Sequence, residues 1–548
     1  MEASGSLKFL QKTILTSIFF GIVGISVNQA NSSPPPITKE EIKKASRIYF
    51  DRCAGCHGML RKGATGPALT PENLKKKHLN TEAIKSFIYY GTARGMPDWG
   101  KQGVLTKEEI NLLARFLQHP PPPPPLLTWE QIKKSWKVYI PVEKRVKAPQ
   151  NKNWRNFFGV ILRDVGKVAI VDGTTKKLIS IVNTGFAVHI LRTSASGRYM
   201  YSIGRDGKAT VIDLWMKKPD KVAEVKVCYD ARSIDTSKYK GYEDKYAVVG
   251  CYWPPAFVVL KGDDLKPITR HVTSDYYYDT KDFVREARVA SIVSSHYDPL
   301  WVLNIKEAGQ VWLVDYSKID KGSIKIDMID AERYLHDGGW DLSKRYFLVA
   351  ANMRNKIVVI DTKEKKLAAI VDVGTKPHPG RGANIDHPKY GPLWCTGHIG
   401  ENRIACIGTD PEKHKKYAWK VAKWIKMPGV GGGNLFIKTH PKSKWLLADR
   451  PLNPDKDLQR SIFVYDKYTF KLVKTLKIPK NIPGRAVHEE YSSDGSEFWI
   501  SVWGKKDQPT AILVYDDKTL KLKKVIKGDW VRTPTGKFNV TNTMEDIY

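Results

Sequence analysis

Val168-Ala-Ile-Val-Asp-Gly-Thr-Thr-Lys-Lys-Leu178 is a run of β-formers, an aspartate, a short polar turn and the start of a second run. The pattern returns in Ile357-Val-Val-Ile-Asp-Thr-Lys-Glu-Lys-Lys-Leu367 and in Ile512-Leu-Val-Tyr-Asp-Asp-Lys-Thr-Leu-Lys-Leu522. Shorter copies stand at Thr210–Asp213, Phe257–Leu260, Val311–Asp315, Ile404–Ile407 and Ile462–Asp466, which makes eight. They recur about every 40–60 residues, the period of a four-stranded propeller blade. Further turns, Ser196-Gly-Arg-Tyr199, Ser343-Lys-Arg-Tyr346 and Asp494-Gly-Ser496, open an aromatic-rich strand between copies. One blade cannot bury both its faces, so the array must close on itself. The expected fold is therefore an all-β, eight-bladed propeller. A tandem of β-sandwiches is the alternative, and it does not explain one shared aspartate turn.

Upstream, Pro120–Pro125 is six consecutive prolines, a polyproline II strut of roughly 19 Å. It divides the chain into an N-terminal segment 31–119, a Pro-rich linker 120–154 and a propeller 155–548. The chain has 548 residues, 42% of them hydrophobic, with 16 Trp. That is enough to bury a sizeable core, and it excludes general disorder. No apolar run beyond residue 30 is long enough to span a bilayer, which excludes a polytopic membrane protein.

Residues 1–30 read as an export signal: Lys8 and Lys12, an apolar run from Ile14 to Val27, then small residues at Ala30 and Ser32. An uncleaved anchor is the alternative. Either reading places the body outside the cytoplasm, in the periplasm or an equivalent compartment. The 90 Lys+Arg against 57 Asp+Glu give a formal charge of +33. Outside the cytoplasm this points away from nucleic acid and toward anionic substrates, carboxylate-bearing cofactors and acidic partners.

Cys53-Ala54-Gly55-Cys56-His57 is a C-x-x-C-H sequence, the pattern of covalent c-type haem attachment. Two thiols three residues apart reach the two vinyl groups of one porphyrin edge, and His57 swings beneath the ring to ligate iron. Thr38-x-x-Glu41 and Thr106-x-x-Glu109 are capping boxes that open amphipathic helices before and after it. Helices so placed make the segment a small all-α class I cytochrome c domain. In that family a Met-Pro pair supplies the second axial ligand, and Met96-Pro97 stands at the right distance. His/Met ligation suits electron transfer rather than catalysis, so another part of the chain should use the electrons.

In the propeller, His336 and His378 fall in Gly/Pro-rich stretches expected to be loops, while His189 falls in an apolar stretch expected to be a strand. A lone strand histidine usually serves the core. Arg163, Arg192, Arg205, Arg232 and Arg381 recur nearby and could meet carboxylates in bidentate pairs. Cys228, Cys251, Cys395 and Cys406 read as buried thiols, with disulfides left open.

This order of parts resembles cytochrome cd1 nitrite reductase, a family that reduces nitrite to nitric oxide. The resemblance spans the mature chain and is dense in five motifs: Cys53–Gly66, Ser196–Asp206, Tyr252-Trp-Pro-Pro255, Phe436–Pro441 and Thr533–Val540. It implies one covalent haem c, held by Cys53, Cys56, His57 and Met96, and one noncovalent haem d1 in the propeller. His189 matches its proximal ligand, and His336 and His378 match two distal histidines that hydrogen-bond nitrite and deliver protons. Arg163, Arg192, Arg205, Arg232, Arg381 and Tyr252 match positions around the macrocycle. The resemblance also implies a homodimer and a small soluble electron donor of cytochrome c or cupredoxin type. In some members an N-terminal tyrosine caps haem d1; Asn31–Lys44 has none, so no such cap is expected. A haem d1 maturation dehydrogenase and a noncatalytic haem carrier share the architecture. A quinone-cofactor dehydrogenase would need a calcium site and tryptophan-docking repeats that the sequence does not show.

Overall fold

The protein is described by a computed structural model over residues 33–64, 66–92 and 96–548. The expected export signal lies outside the described residues. Among those described, no helix is long and apolar enough to cross a membrane.

The N-terminal domain is helical: α1 (Lys39–Arg52), α2 (Ala54–His57), α3 (Pro71–Lys76), α4 (Thr81–Tyr90) and α5 (Lys107–Leu117). Both expected capping boxes form. Thr38 and Thr106 accept from the N–H of Glu41 and Glu109, and each glutamate returns a bond to the cap N–H. The apolar stripe of α5 (Ile110, Leu113, Ala114, Leu117) packs with Ala45 and Tyr49 of α1, and Ala54, Leu74, Ile84 and Ile88 complete one small core.

Eight antiparallel blade sheets follow among the described residues, seven of four strands and one, blade 2, with a fifth. Each of the eight sequence copies is the third strand of its blade, from Lys167–Asp172 in blade 1 to Ile512–Asp516 in blade 8. The repeated aspartate has a clear physical task. Asp172 Oδ1 accepts from the N–H of Thr174 (2.8 Å) and Thr175 (3.2 Å). Asp361 and Asp466 cap the two following N–H groups of their own turns in the same way. Four residues after the aspartate the chain passes through left-handed φ, at Lys176 (63°), Lys365 (52°), Phe470 (59°) and Leu520 (53°). Turn and register are thereby set together.

The ring closes by pairing Pro534–Asn539 with Phe157–Leu162, so the last strand of the chain becomes the first strand of blade 1. The first strands of all eight blades touch one another in sequence around the axis. The outermost strands are open edges, which attract unwanted pairing. They carry exposed lysines: Lys426 in blade 6, Lys474 and Lys477 in blade 7, Lys523 and Lys524 in blade 8. Part of the +33 charge therefore guards sheet edges.

Two sequence expectations need correction. The 120–154 segment is not only a linker: Trp129–Ser135 forms helix α6, and Lys137–Val138 pairs with Asp220–Lys226 as a fifth strand of blade 2. The four propeller cysteines are not thiols. Cys228 joins Cys251 and Cys395 joins Cys406, the latter two being direct cross-strand partners. Register decides this, and the sequence does not display it.

Candidate active site at the propeller axis

Six of the eight innermost strands break their pairing where they face the axis. In blade 5, His336 and Asp337 stand opposite the single residue Ala350. In blade 6, four residues from Pro379 to Gly382 stand opposite Thr396 alone. Arg232 in blade 3 and His488 in blade 8 are likewise extra residues. A bulge interrupts the in–out alternation of a strand and re-aims side chains. This is how a sheet built for packing directs polar groups to its centre. It also corrects the expectation of loops: His336 and His378 lie in strands Leu335–Trp340 and Pro377–His387. His189, expected in a strand, precedes the strand Ile190–Thr193 and is held by its N–H to Ile203 O (3.2 Å).

His336 and His378 come together, with ring centroids 5.3 Å apart and both side chains buried. His378 Nδ1 lies 2.8 Å from the carbonyl oxygen of Leu435. Asp337 stands between them: its Oδ1 is 3.0 Å from His336 Nδ1, and its Oδ2 is 3.5 Å from His378 Nε2. Arg232 approaches the same carboxylate at 3.7 Å. Burial would raise the Asp337 pKa, but His336 and Arg232 outweigh it and hold the group well below the carboxylate range. Burial pushes the pKa of both histidines down, with Asp337 opposing. It also pushes His189 far down, and Arg232 adds to the effect. Burial thus favours the neutral ring at His189, the form in which imidazole ligates a metal.

The expected arginines divide. Arg232 Nε, Arg192 Nε and the Tyr252 hydroxyl are buried donors without a hydrogen-bond partner among the described residues, which suits a bound group rich in carboxylate oxygens. Arg163 pairs with Asp164 (2.6 Å), and Arg192 stands 3.7 Å from Asp235. Arg381 reaches the carbonyls of Gly338 and Ile292, both at 3.3 Å. Arg205 is turned to the domain junction: it pairs doubly with Asp230, and its Nη1 lies 2.8 Å from where a Cβ on Gly55 would stand.

That junction holds residues the sequence reading missed. Glu286 accepts from the N–H groups of Met59 (2.6 Å) and Leu60 (3.0 Å). Arg288, paired with Glu307, reaches the carbonyls of Ala54 and Gly55. The propeller thus grips the C-x-x-C-H turn itself. Lys306, fully buried, has its pKa pushed down to about 7 by burial and by Arg288, and its charge also bears on His336.

The N-terminal site fits a c-type haem. Cys53 and Cys56 form no disulfide, whereas the other four cysteines are paired. His57 Nδ1 stands 2.7 Å from Pro67 O. A carbonyl there fixes the proton on Nδ1 and leaves Nε2 as the ligand atom. Met96 packs against the same small core.

Comparison with known proteins agrees. The family described as Cytochrome D1 heme domain matches residues 152–543, and that described as Cytochrome C oxidase, cbb3-type, subunit III matches residues 40–117. The nitrite reductase of Stutzerimonas stutzeri is 47% identical over 98% of this chain and 99% of its own length. The dihydro-heme d1 dehydrogenase of Pseudomonas aeruginosa is 26% identical over 90% of this chain and 93% of its own. A solved structure of dihydro-heme d1 dehydrogenase NirN in complex with DHE superposes with a TM-score of 0.68, at 25% identity, covering 91% of this chain and 99% of that one. With a cytochrome c domain ahead of a D1 heme propeller, the chain belongs to the cytochrome cd1 nitrite reductase family.

Proposed function

We propose that the protein is a respiratory nitrite reductase which converts nitrite to nitric oxide and water. The observation that carries this reading is the pair His336 and His378, brought by two bulged strands to one buried point beside Arg232. The overall change is one nitrite, one electron and two protons to one nitric oxide and one water. When bound, haem d1 would supply a redox-active iron and haem c the electron. His189 would hold that iron, and Arg192, Arg232 and Tyr252 would meet the macrocycle's oxygens.

The chain's own residues do the rest. Arg232 offers an anion a favourable approach in a buried setting. His336 and His378 direct proton-bearing rings to the same space, where the departing oxygen must gain two protons to leave as water. The grip of Glu286 and Arg288 on the haem-attachment turn keeps the electron-supplying domain seated on the ring.

We also read the protein as exported and periplasmic. Two disulfides support that reading, because such bonds persist in oxidising compartments. A homodimer, fed by a small soluble donor of cytochrome c or cupredoxin type, is the assembly expected from the family. Reduced protein carrying both haems, given nitrite without oxygen at a nitric oxide electrode, tests the activity. The reading predicts nitric oxide in step with nitrite consumed. A haem d1 dehydrogenase or a haem carrier would yield none.

A further inference from the structure

We propose that Asp337 is a positioning residue of the reductase site: it bridges His336 and His378 and keeps a proton available at His378 Nε2. The inference rests on the reductase reading above and adds a third member to the histidine pair.

Regular alternation would place His336 and Asp337 on opposite faces of their strand. The bulge opposite Ala350 removes that alternation, so both reach the axis. The hydrogen bonding of His378 then fixes what Asp337 does. Leu435 O can only accept, so Nδ1 of His378 carries a proton, and the neutral ring has a lone pair at Nε2. That lone pair faces Asp337 Oδ2 at 3.5 Å. Two acceptors so placed in a buried site repel unless a proton stands between them. Asp337 therefore favours a proton at Nε2 and works against the burial that otherwise disfavours one there. His336 Nδ1 lies 3.0 Å from Oδ1, so the same carboxylate sits against both rings. Arg232, 3.7 Å from the same carboxylate, balances the charge left when the proton moves on.

The charged and titratable groups facing this unit come from several elements. They are Arg232 from blade 3, Lys306 after the strand Leu300–Ile305, and His189, with Tyr252 acting at longer range. Overall, one N–O bond of nitrite breaks, both protons end on the departing oxygen, and the one electron needed is the one haem c would supply. His378 Nε2 would give one proton and His336 the other, and solvent returns a proton to each ring before the next turnover. Asp337 gains and loses no net proton over the turnover.

The test uses the protein with both haems and compares Asp337→Asn and Asp337→Glu with the parent across pH 5–9. Asparagine keeps the shape and removes the charge. D337N should show unaltered haem spectra and a kcat lower by about 10–100-fold. Its falling limb should lie about one pH unit lower, because the carboxylate no longer favours charged His378. D337E, which keeps the charge, should retain the parental limb and recover part of the rate. A D337N variant with the parental rate and limb would overturn the proposal. So would a loss of rate with an unmoved limb, or a limb in D337E displaced as in D337N. If D337N sheds haem d1, the limb of D337E decides alone. Absence of nitric oxide from the parent protein would instead overturn the reductase reading.

Discussion

Glu286 accepts a 2.6 Å hydrogen bond from the N–H of Met59, so a propeller carboxylate is tied to the residue that follows the haem-attachment motif by two positions. Leu60 donates to its other oxygen, and Gly58, at φ 81°, lies so close that an added Cβ would stand 3.1 Å from Glu286 Oε2. The first prediction concerns this clamp. Glu286→Gln keeps one acceptor and turns an NH2 toward the other N–H, losing a bond to a charged group worth about 1.5–3 kcal/mol. Haem c should stay attached with its spectrum intact. Electron transfer between the haems, followed by stopped-flow absorbance, should slow. Unchanged transfer would mean that the clamp does not govern the seating of the cytochrome domain.

A second prediction concerns the Val540–Tyr548 segment. Asp546 accepts from Lys238 (2.7 Å) and lies 2.8 Å from His296 Nε2, and all but His296 are deeply buried. Burial would raise the Asp546 pKa, but Lys238 and His296 hold it far below the carboxylate range. A depressed carboxylate contributes stability above its unfolded value, near pH 4, and loses it as pH falls toward the folded value. Asp546→Asn should cost about 3–5 kcal/mol at pH 7, because Lys238 is left buried without its partner. Urea midpoints of the two proteins should converge as pH falls below about 4. A constant gap across pH would contradict the ion-pair account.

The disulfides give a third. Cys228–Cys251 closes a sequence separation of 23 residues. In the chain-entropy picture, replacing both by serine should cost about 3 kcal/mol, seen as a lower urea midpoint. Equal midpoints for the parent and the double variant would mean that the bond does not hold the folded state.

What the sequence displays and what it hides follow from range. The C-x-x-C-H turn and the two capping boxes depend on residues within a few positions of one another, and they form as the spelling implies. The blade repeat is legible because Asp172, Asp361, Asp466 and Asp516 each cap their own turn. The axis is different. His336, Asp337 and His378 meet only because strands far apart in sequence each carry a bulge, and a bulge is a fact of pairing register. Glycines around those histidines look like turns in the sequence; in the fold they lie within strands. Asp337 stayed hidden because alternation assigns it to the wrong face. Glu286 and Arg288 stayed hidden because the Met59 and Leu60 N–H groups and the Ala54 and Gly55 carbonyls that they hold belong to another domain. Resemblance, not periodicity, points to His189.

The most direct test of the central claim is nitric oxide output per nitrite by the protein carrying both haems, measured for the parent and for His378→Ala. The account predicts that the variant keeps both haem spectra and loses about 10²–10⁴-fold in turnover, the usual contribution of a positioned proton donor. Full turnover in His378→Ala, with both haems in place, would contradict it.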